Sequence, residues 1–284
     1  MKMARWHGED AYVASGGGLS AIVVPERGGK IVSLSDESGY EWLVGPPDPL
    51  PPPASPGDVF RRAEMCGWDE CLPTINACAL DDATLYGDHG NAWSLPWRVI
   101  GDAMHVYMEE LGLSLTRSIS ATPAGLRLTY DLSAERVLPI LWAAHPQVRA
   151  PRGSRIELPP AVREVIDVMD EPARRAKWDA TLASVDSVPE GGCRKVYVSS
   201  STRSGAASLV TPSSGTLTFR WDPESLPYLG LWFDKRVRDA EARIAIEPTN
   251  GYYDDAARAA KAGTVAIVSP DAPLHWWLEV AHVY

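Results

Sequence analysis

The stretch LSLTRSISATPAGLRLTYDL, residues 113–132, contains two short runs in which apolar and polar residues alternate. Residues 123–125, Pro-Ala-Gly, separate the two runs and are typical of a turn. Alternation with a period of two indicates a strand that buries one face, and a turn between two such runs predicts an antiparallel hairpin.

Similar β-type runs continue in both directions from this hairpin. They cover residues 19–24, 31–34, 41–44, 97–100, 105–109, 137–144, 195–199, 207–210, 216–221, 229–233, 243–247, 265–268 and 274–283. Helical patterns are confined to residues 254–262 and 172–183. The chain is therefore expected to be all-β, a large antiparallel β-sandwich with a few short helices.

Two loop-rich segments interrupt the predicted strands. The Pro-rich segment 45–57 follows only about three predicted strands, too few for an independent domain, so we interpret it as a rim loop. Residues 151–192 are expected to form an excursion over one edge of the sheet. A chain of 284 residues is within the length that one sandwich domain reaches, and we expect a single domain over residues 1–284.

The charge balance disfavours two classes of partner. There are 27 Lys and Arg residues against 37 Asp and Glu residues, a formal net charge of −10, which repels nucleic-acid phosphates and anionic membranes. The first residues lack the apolar core of a signal peptide, and no apolar run approaches the ~20 residues that span a bilayer. We expect a cytoplasmic monomer or homodimer without nucleic-acid or membrane partners.

Cysteine and aromatic residues add two expectations. Cys66, Cys71, Cys78 and Cys193 lack the spacing of a zinc site, so reduced structural thiols are expected. Tryptophan (11) and tyrosine (10) far outnumber phenylalanine (3). Their rings combine an apolar face with a hydrogen-bonding group, which suits a sugar-binding cleft, although most such rings lie in protein cores.

Three segments place a titratable side chain where a strand gives way to a loop: YGDHGNAWSLPW (86–97), LWAAHPQ (141–147) and IAIEPTNG (244–251). His145 ends an apolar run before Pro146, where it either faces a cavity or is a structural histidine. Glu247 follows the apolar IAI, and a carboxylate there is paired with an arginine or used in function. His89 lies in a glycine-flanked loop that is compatible with ligand binding or with ordinary turn structure.

Together these segments resemble the aldose 1-epimerase (galactose mutarotase-like) family. The resemblance extends over PERGGKIVSLSDESGYEWL (25–43), DHGNAWSLPW (88–97), WAAHPQ (142–147), YLGLWFDK (228–235) and IAIEPTNGYYDDAARAAKAG (244–263). It implies the galactose mutarotase-like supersandwich fold and an isomerase that interconverts the α and β anomers of an aldose.

The resemblance also implies roles for particular residues. Glu247 would be the general base, His145 the general acid, and His89 a ligand to sugar hydroxyls or to the ring oxygen. Trp232 would line the cleft. No residue between His145 and Glu247 matches the family's substrate-binding aspartate.

Two further positions bear on the substrate. Either Arg61 or Arg62 lies where relatives have a substrate-binding arginine. Gly230 stands where the best-known galactose-type members have glutamine. The sequence therefore leaves the identity of the sugar open.

The residue types fit the chemistry of anomer exchange. A base removes the proton of the C1 hydroxyl while an acid protonates the ring oxygen, which gives an open-chain aldehyde that closes on either face. We expect partial burial to raise the pKa of Glu247 toward neutrality, and His145 to donate near pH 7. A small-molecule sugar is the expected partner, and no metal or organic cofactor is required.

Three alternatives stay open. His89, His145 and Glu247 could form a two-histidine, one-carboxylate metal site. The chain could be a non-catalytic carbohydrate-binding protein of the same fold, since a fold does not fix function. Within the enzyme class, Arg61 and Arg62 could instead bind a phosphorylated or otherwise acidic sugar, because guanidinium groups suit phosphate and sulfonate.

Overall fold

The computed structural model describes residues 1–62, 65–82, 84–169, 172–198, 204–236 and 241–284, apart from the side chain of Arg62. Within these residues the strands are, in chain order, β1 (Lys2–Trp6), β2 (Glu9–Gly16), β3 (Leu19–Val24), β4 (Lys30–Asp36), β5 (Trp68–Cys71), β6 (Cys78–Ala79), β7 (Leu85–Tyr86), β8 (Arg98–Ile100), β9 (Ala103–Met108), β10 (Leu113–Thr122), β11 (Gly125–Ala134), β12 (Leu138–Ile140), β13 (Ala143–Pro146), β14 (Val148–Arg149), β15 (Arg155–Glu157), β16 (Glu164–Asp167), β17 (Arg174–Lys177), β18 (Cys193–Val198), β19 (Ala206–Thr211), β20 (Gly215–Trp221), β21 (Tyr228–Asp234), β22 (Arg243–Thr249), β23 (Ala266–Val268) and β24 (Leu274–Val283). The α-helices are α1 (Ala180–Ala183) and α2 (Ala256–Ala262), and 3-10 turns occur at Pro25–Arg27, Phe60–Arg62, Ala92–Ser94 and Val185–Ser187.

Two large antiparallel sheets contain most of these strands. The first sheet has the order β1-β2-β3-β4-β5-β13-β22-β21-β18-β16-β17, with β14 paired to β22. The second sheet has the order β15-β19-β20-β24-β11-β10-β9-β8. Two small sheets are formed by β12 with β23 and by β6 with β7.

The hydrophobic core lies between the first and second sheets. Trp68 of β5 packs on Phe219 of β20, with ring centroids 5.7 Å apart. Tyr130 of β11 lies 4.9 Å from the ring of Trp142, just before β13. All four rings are buried, and rings of this size remove large apolar areas from water. The two sheets are therefore the layers of a β-sandwich.

The strand predictions are largely confirmed. The predicted hairpin forms β10 and β11, whose register runs from Leu113 opposite Ala134 to Thr122 opposite Gly125. The predicted strands 19–24 and 274–283 are β3 and β24. The predicted strand 195–199 corresponds to β18, except that Ser199 lies outside the described residues. The all-β sandwich expected from the sequence is confirmed.

The predicted strand 137–144 is instead divided between β12 and β13, which lie in different sheets. At the break, the N–H of Leu141 donates to the carbonyl of Pro73, and the N–H of Trp142 donates to Asn250 Oδ1 at 2.7 Å. These bonds satisfy backbone donors outside any ladder, so the chain can leave one sheet and enter the other.

The predicted strand 41–44 was wrong, because only isolated bridges occur there, at Glu41 and Leu43. Glu41 Oε1 accepts hydrogen bonds from the N–H groups of Leu34 and Leu43, at 2.8 and 3.0 Å. The side chain thus supplies acceptors that a strand partner would otherwise provide. The Pro-rich segment 45–57 contains neither strand nor helix, as expected.

One of the two helix predictions is confirmed. Residues 254–262 contain α2, where Asp255 accepts from the N–H of Arg258 and Gly263 ends the helix with φ +67°. Residues 172–183 instead form β17, which pairs with β16, followed by the single turn α1. Pairing at the sheet edge overrides the helical propensity of Arg174–Lys177. None of the helices in the described residues is long and apolar enough to cross a membrane.

Candidate functional site

Neighbouring strands of the first sheet present polar side chains on the face that is turned away from the core. Phe233 of β21 and Ile246 of β22 belong to the hydrophobic core. Successive side chains on a strand point to opposite faces, so Trp232 and Glu247 lie on the outer face. Lys195 of β18 pairs in register with Trp232 and shares that face.

A cavity of about 410 Å³ opens on this outer face, within the ~300–1,000 Å³ that small-molecule sites occupy. It brings together most of the site residues predicted from the sequence, namely Arg61, His89, His145, Trp232 and Glu247. Its other lining residues are Val59, Phe60, Met65, Ile75, Asn76, Asp88, Met169, Cys193, Lys195, Arg236 and Asp254. The side chain of Arg62, the alternative to Arg61, lies outside the described part of the chain.

His145 and Glu247 are in direct contact. His145 Nδ1 lies 2.9 Å from Glu247 Oε1, and their side chains are 6% and 2% exposed. A carboxylate only accepts hydrogen bonds, so Nδ1 carries the hydrogen that it donates. The other ring nitrogen, Nε2, is buried and has no hydrogen-bond partner in the part of the chain that the structure describes. This nitrogen therefore keeps a hydrogen-bonding capacity that no described residue uses.

Lys195 is a site residue that the sequence reasoning missed. Its ammonium forms an ion pair with Glu247 Oε2 and lies 3.4 Å from Asp254 Oδ1. The side chain is 9% exposed, so the charge is largely removed from water. The available sequence signal was weak: Lys195 shares a strand face with Tyr197, whereas the alternate residue Val196 is in the core.

The expectation that burial raises the pKa of Glu247 toward neutrality was wrong. Burial acts in that direction, but the Lys195 ammonium and the hydrogen bond from His145 outweigh it and lower the pKa from 4.5 to about 2. Burial likewise disfavours the charged form of Lys195, yet Asp254 and Glu247 raise the pKa of its ammonium above the usual value. At neutral pH the site holds an ionised carboxylate beside an ammonium.

Asp88 connects the His89 loop to the turn that carries Arg61. His89 has φ +57°, and its Nδ1 lies 2.9 Å from Asp88 Oδ1. Asp88 Oδ2 accepts from the N–H of Phe60 at 3.0 Å, and the Phe60 ring stacks on His89 with centroids 3.9 Å apart. Burial and the nearby His145 lower the pKa of His89 despite Asp88. A neutral His89 that donates from Nδ1 offers Nε2 as an acceptor.

Gly230 lies between Tyr197 and Glu247 in the sheet register. A Cβ at this position would lie 2.9 Å from Glu247 Oε2 and 3.4 Å from Lys195 Cε. Any longer side chain would collide with this ion pair. The glycine that departs from the galactose-type pattern is therefore the residue that leaves room for Lys195.

Trp232 and Asp254 complete the walls of the cavity. The Trp232 ring lies 5.6 Å from that of His145, and the Arg236 guanidinium lies 5.2 Å from its centroid. Asp254 follows Glu247 in the chain, and its Oδ1 accepts from the Tyr197 hydroxyl at 2.5 Å. A carboxylate that lines the cavity is thus supplied by the chain after Glu247.

The described residues offer no ligand set for the metal-site alternative. Among the described residues, no three His, Cys, Asp or Glu side chains are grouped so that they could hold a metal ion. His89, His145 and Glu247 line the same cavity, but His145 and Glu247 bond to each other through Nδ1 and Oε1.

No model of a known protein family matches the chain, and no curated protein matches it. Solved structures do match. The Slr1438 protein from Synechocystis sp. PCC 6803 is 16% identical with a TM-score of 0.72, and the match covers 100% of this chain and 98% of that one. A galactose mutarotase-like protein from Lactobacillus casei ATCC 334 is 17% identical with a TM-score of 0.67, covering 95% and 99%.

A third structure, from Escherichia coli K12, is of a protein proposed to be an aldose 1-epimerase. It is 15% identical with a TM-score of 0.68, and the match covers 96% of this chain and 99% of that one. Similarity at these identities concerns the fold. The chain therefore has the fold of the galactose mutarotase-like proteins, as the sequence resemblance implied.

Proposed function

We propose that this protein is an aldose 1-epimerase that exchanges the α and β anomers of a sugar by general acid/base catalysis. The observation that carries the proposal is the contact between Glu247 and His145 inside the cavity. One partner is an ionised carboxylate, and the other is an imidazole with an unengaged Nε2. A base and an acid within reach of one small molecule are what anomer exchange requires.

The proton movements balance over the cycle. Glu247 accepts the proton of the C1 hydroxyl, and His145 in its imidazolium form donates the Nε2 proton to the ring oxygen as the bond from C1 to that oxygen breaks. Rotation about the C1–C2 bond exposes the other face of the aldehyde, and the reverse transfers close the ring.

The carboxylate retains the capacity to act as a base although both of its oxygens are engaged. Oε1 accepts from His145 and Oε2 from Lys195. A carboxylate offers about four lone-pair sites, so each oxygen can take one further hydrogen bond. Trp232 supplies a flat apolar wall against which a sugar ring can pack.

The direct test is exchange NMR of the purified protein with neutral, acidic and phosphorylated aldoses. We expect faster anomer exchange for at least one aldose, and a loss of about 10²- to 10⁴-fold in His145→Ala, the usual contribution of a positioned acid. His275→Ala is the matched control, because that histidine is 63% exposed and pairs with Asp131 outside the cavity.

Two results would contradict the enzyme assignment. If no aldose exchanges faster than its uncatalysed rate, the catalytic proposal fails for that panel. Sugar binding that persists in Glu247→Gln, with no catalysis in the parent, would instead support a non-catalytic carbohydrate-binding protein.

An acidic or phosphorylated sugar is a second candidate substrate, supported by Arg61. This side chain lines the cavity and is exposed, and it has no ion pair within the described ranges. Arg236 also lines the cavity, but it bonds to Asp234 Oδ1 at 2.6 Å. Arg61 is therefore the better placed of the two to meet an anionic substituent.

Arg61→Ala separates the two substrate classes. If the substrate is anionic, kcat/KM for it falls about tenfold, equivalent to ~1.4 kcal/mol, because a hydrogen bond to a charged group is lost. The same variant should leave kcat/KM for a neutral aldose unchanged. If Arg61→Ala leaves kcat/KM unchanged for the anionic substrate as well as for the neutral aldose, Arg61 does not recognise the anion.

A further inference from the structure

The ammonium of Lys195 lies between two carboxylates on the outer face of the first sheet. It pairs with Glu247 Oε2 and lies 3.4 Å from Asp254 Oδ1. A lysine that is 9% exposed loses most of its hydration, so its charge persists only because these carboxylates compensate for it. The arrangement is a buried charge cluster at the reacting end of the cavity.

The sheet is shaped to admit this contact. In register, Tyr197 lies opposite Gly230, which lies opposite Glu247. Lys195 is two residues before Tyr197 on the same face, so its side chain reaches Glu247 diagonally across the glycine. Since a Cβ on Gly230 would lie 2.9 Å from Glu247 Oε2, the missing side chain is a condition for the pair.

Groups from several elements surround Glu247, and they differ in the charge that they can supply. They are Cys71 of β5, His89 of the loop after β7, His145 of β13, Lys195 and Tyr197 of β18, and Asp254 of the loop after β22. Burial raises the pKa of Cys71 and of Tyr197, so both are neutral. The histidines change charge when they carry protons, which leaves Lys195 as the permanent cation among these described neighbours.

We propose that Lys195 is a positioning residue of the proposed reaction: its ammonium keeps Glu247 ionised and anchors Oε2, so that Oε1 stays beside His145. The inference rests on the proposed function for its catalytic consequence. Without a fixed countercharge, a buried carboxylate beside an imidazolium can take its proton, and the acid and the base then neutralise each other. Lys195 opposes that transfer at every pH at which it is charged.

The proposal predicts a pH-dependent defect. In Lys195→Met, burial acts on Glu247 without the ammonium, so its pKa rises. A base must be ionised to act, so the acid limb of the kcat/KM profile moves to higher pH. Below the raised pKa, kcat/KM falls about tenfold for each pH unit relative to the parent, and above it most of the parental rate returns.

A carbon-13 titration of the Glu247 carboxyl tests the charge directly, with the resonance identified by its loss in Glu247→Gln. In the parent, we expect no titration between pH 7 and pH 4, because the pKa is about 2. In Lys195→Met, the titration should enter that range. Lys195→Arg keeps the charge and should keep the parental acid limb. Lys235→Met is the matched control, since that lysine pairs with Glu190 outside the cavity.

The outcomes separate this inference from the proposed function. A parental Glu247 carboxyl that titrates at or above the ordinary value of 4.5 overturns the inference even if Lys195→Met does not fold. An equal loss of rate at all pH values in folded Lys195→Met also overturns it, because that is the result of a structural role. If the parent accelerates no anomer exchange, the proposed function fails, whereas the titration still reports whether Lys195 holds the charge of Glu247.

Discussion

Glu247→Gln is expected to lower kcat for anomer exchange by about 10²- to 10⁴-fold, the range that a positioned general base supplies. The amide matches the carboxyl in shape but does not accept the proton of the C1 hydroxyl. Lys195 keeps Asp254 as a countercharge at 3.4 Å, so the variant should remain folded. Exchange NMR at saturating aldose measures the loss.

Glu279→Gln is the matched control for this prediction. Glu279 lies on β24 of the second sheet, is 29% exposed and pairs with Arg127 at 2.7 Å. Its replacement should leave kcat within experimental error. Retention of the parental kcat in Glu247→Gln would exclude this carboxylate as the base, and an equal loss in both variants would indicate a general effect of removing a charge.

The largest effect on stability is expected from Arg117→Met. Arg117 Nη1 bonds to Glu70 Oε1 at 2.7 Å, and both side chains are 0% exposed. Removing the guanidinium leaves the Glu70 carboxylate buried, and its remaining donors among the described residues are the neutral Tyr130 and Trp142, each at 2.9 Å. Breaking a buried ion pair at one partner costs about 3–5 kcal/mol in the free energy of unfolding.

Urea denaturation of the parent and the variant measures this cost. Arg175→Met provides the comparison, because Arg175 is 68% exposed and its pair with Glu164 spans 3.3 Å. Exposed pairs contribute about 0–1 kcal/mol, so this variant should denature close to the parent. Similar midpoints for Arg117→Met and the parent would show that the core tolerates the unpaired carboxylate.

Glu70 of the core pair and the candidate site lie on opposite faces of the first sheet. Glu70 of β5 faces Arg117 in the core, whereas the preceding Asp69 pairs in register with His145. Period-two alternation explains this division, because adjacent residues of a strand point in opposite directions. A loss of stability in Arg117→Met can therefore displace the site strands, and activity in that variant should be compared only at temperatures where it is folded.

Most strands could be predicted because their signal is local. The hairpin formed by β10 and β11 follows from two alternating runs and an intervening turn, all within twenty consecutive residues. The strand predicted at residues 137–144 failed because its two halves find different partners, β23 and β5. Nothing in the local alternation distinguishes one long strand from two short ones that diverge.

The candidate site likewise contains residues that the sequence predicts and others that it does not. His89, His145 and Glu247 each stand at a strand end or in a glycine-flanked loop, and these positions single them out in the sequence. Lys195 lies inside a strand, 52 residues before Glu247, and it meets that residue only because β21 lies between β18 and β22. Its role in setting the charge of Glu247 therefore escapes a search of local patterns.

The sequence by itself determined the all-β class, most of the strands and three of the titratable residues that line the cavity, His89, His145 and Glu247. These follow from alternation and from neighbours along the chain. The tertiary structure alone decided that Glu247 is a carboxylate with a pKa of about 2 and not one raised toward neutrality. Burial raises the pKa of Glu247 and charge pairing with Lys195 lowers it, and both effects act through space. Which one prevails depends on where the sheet order places the Lys195 ammonium, and the order of strands is a property of the folded chain.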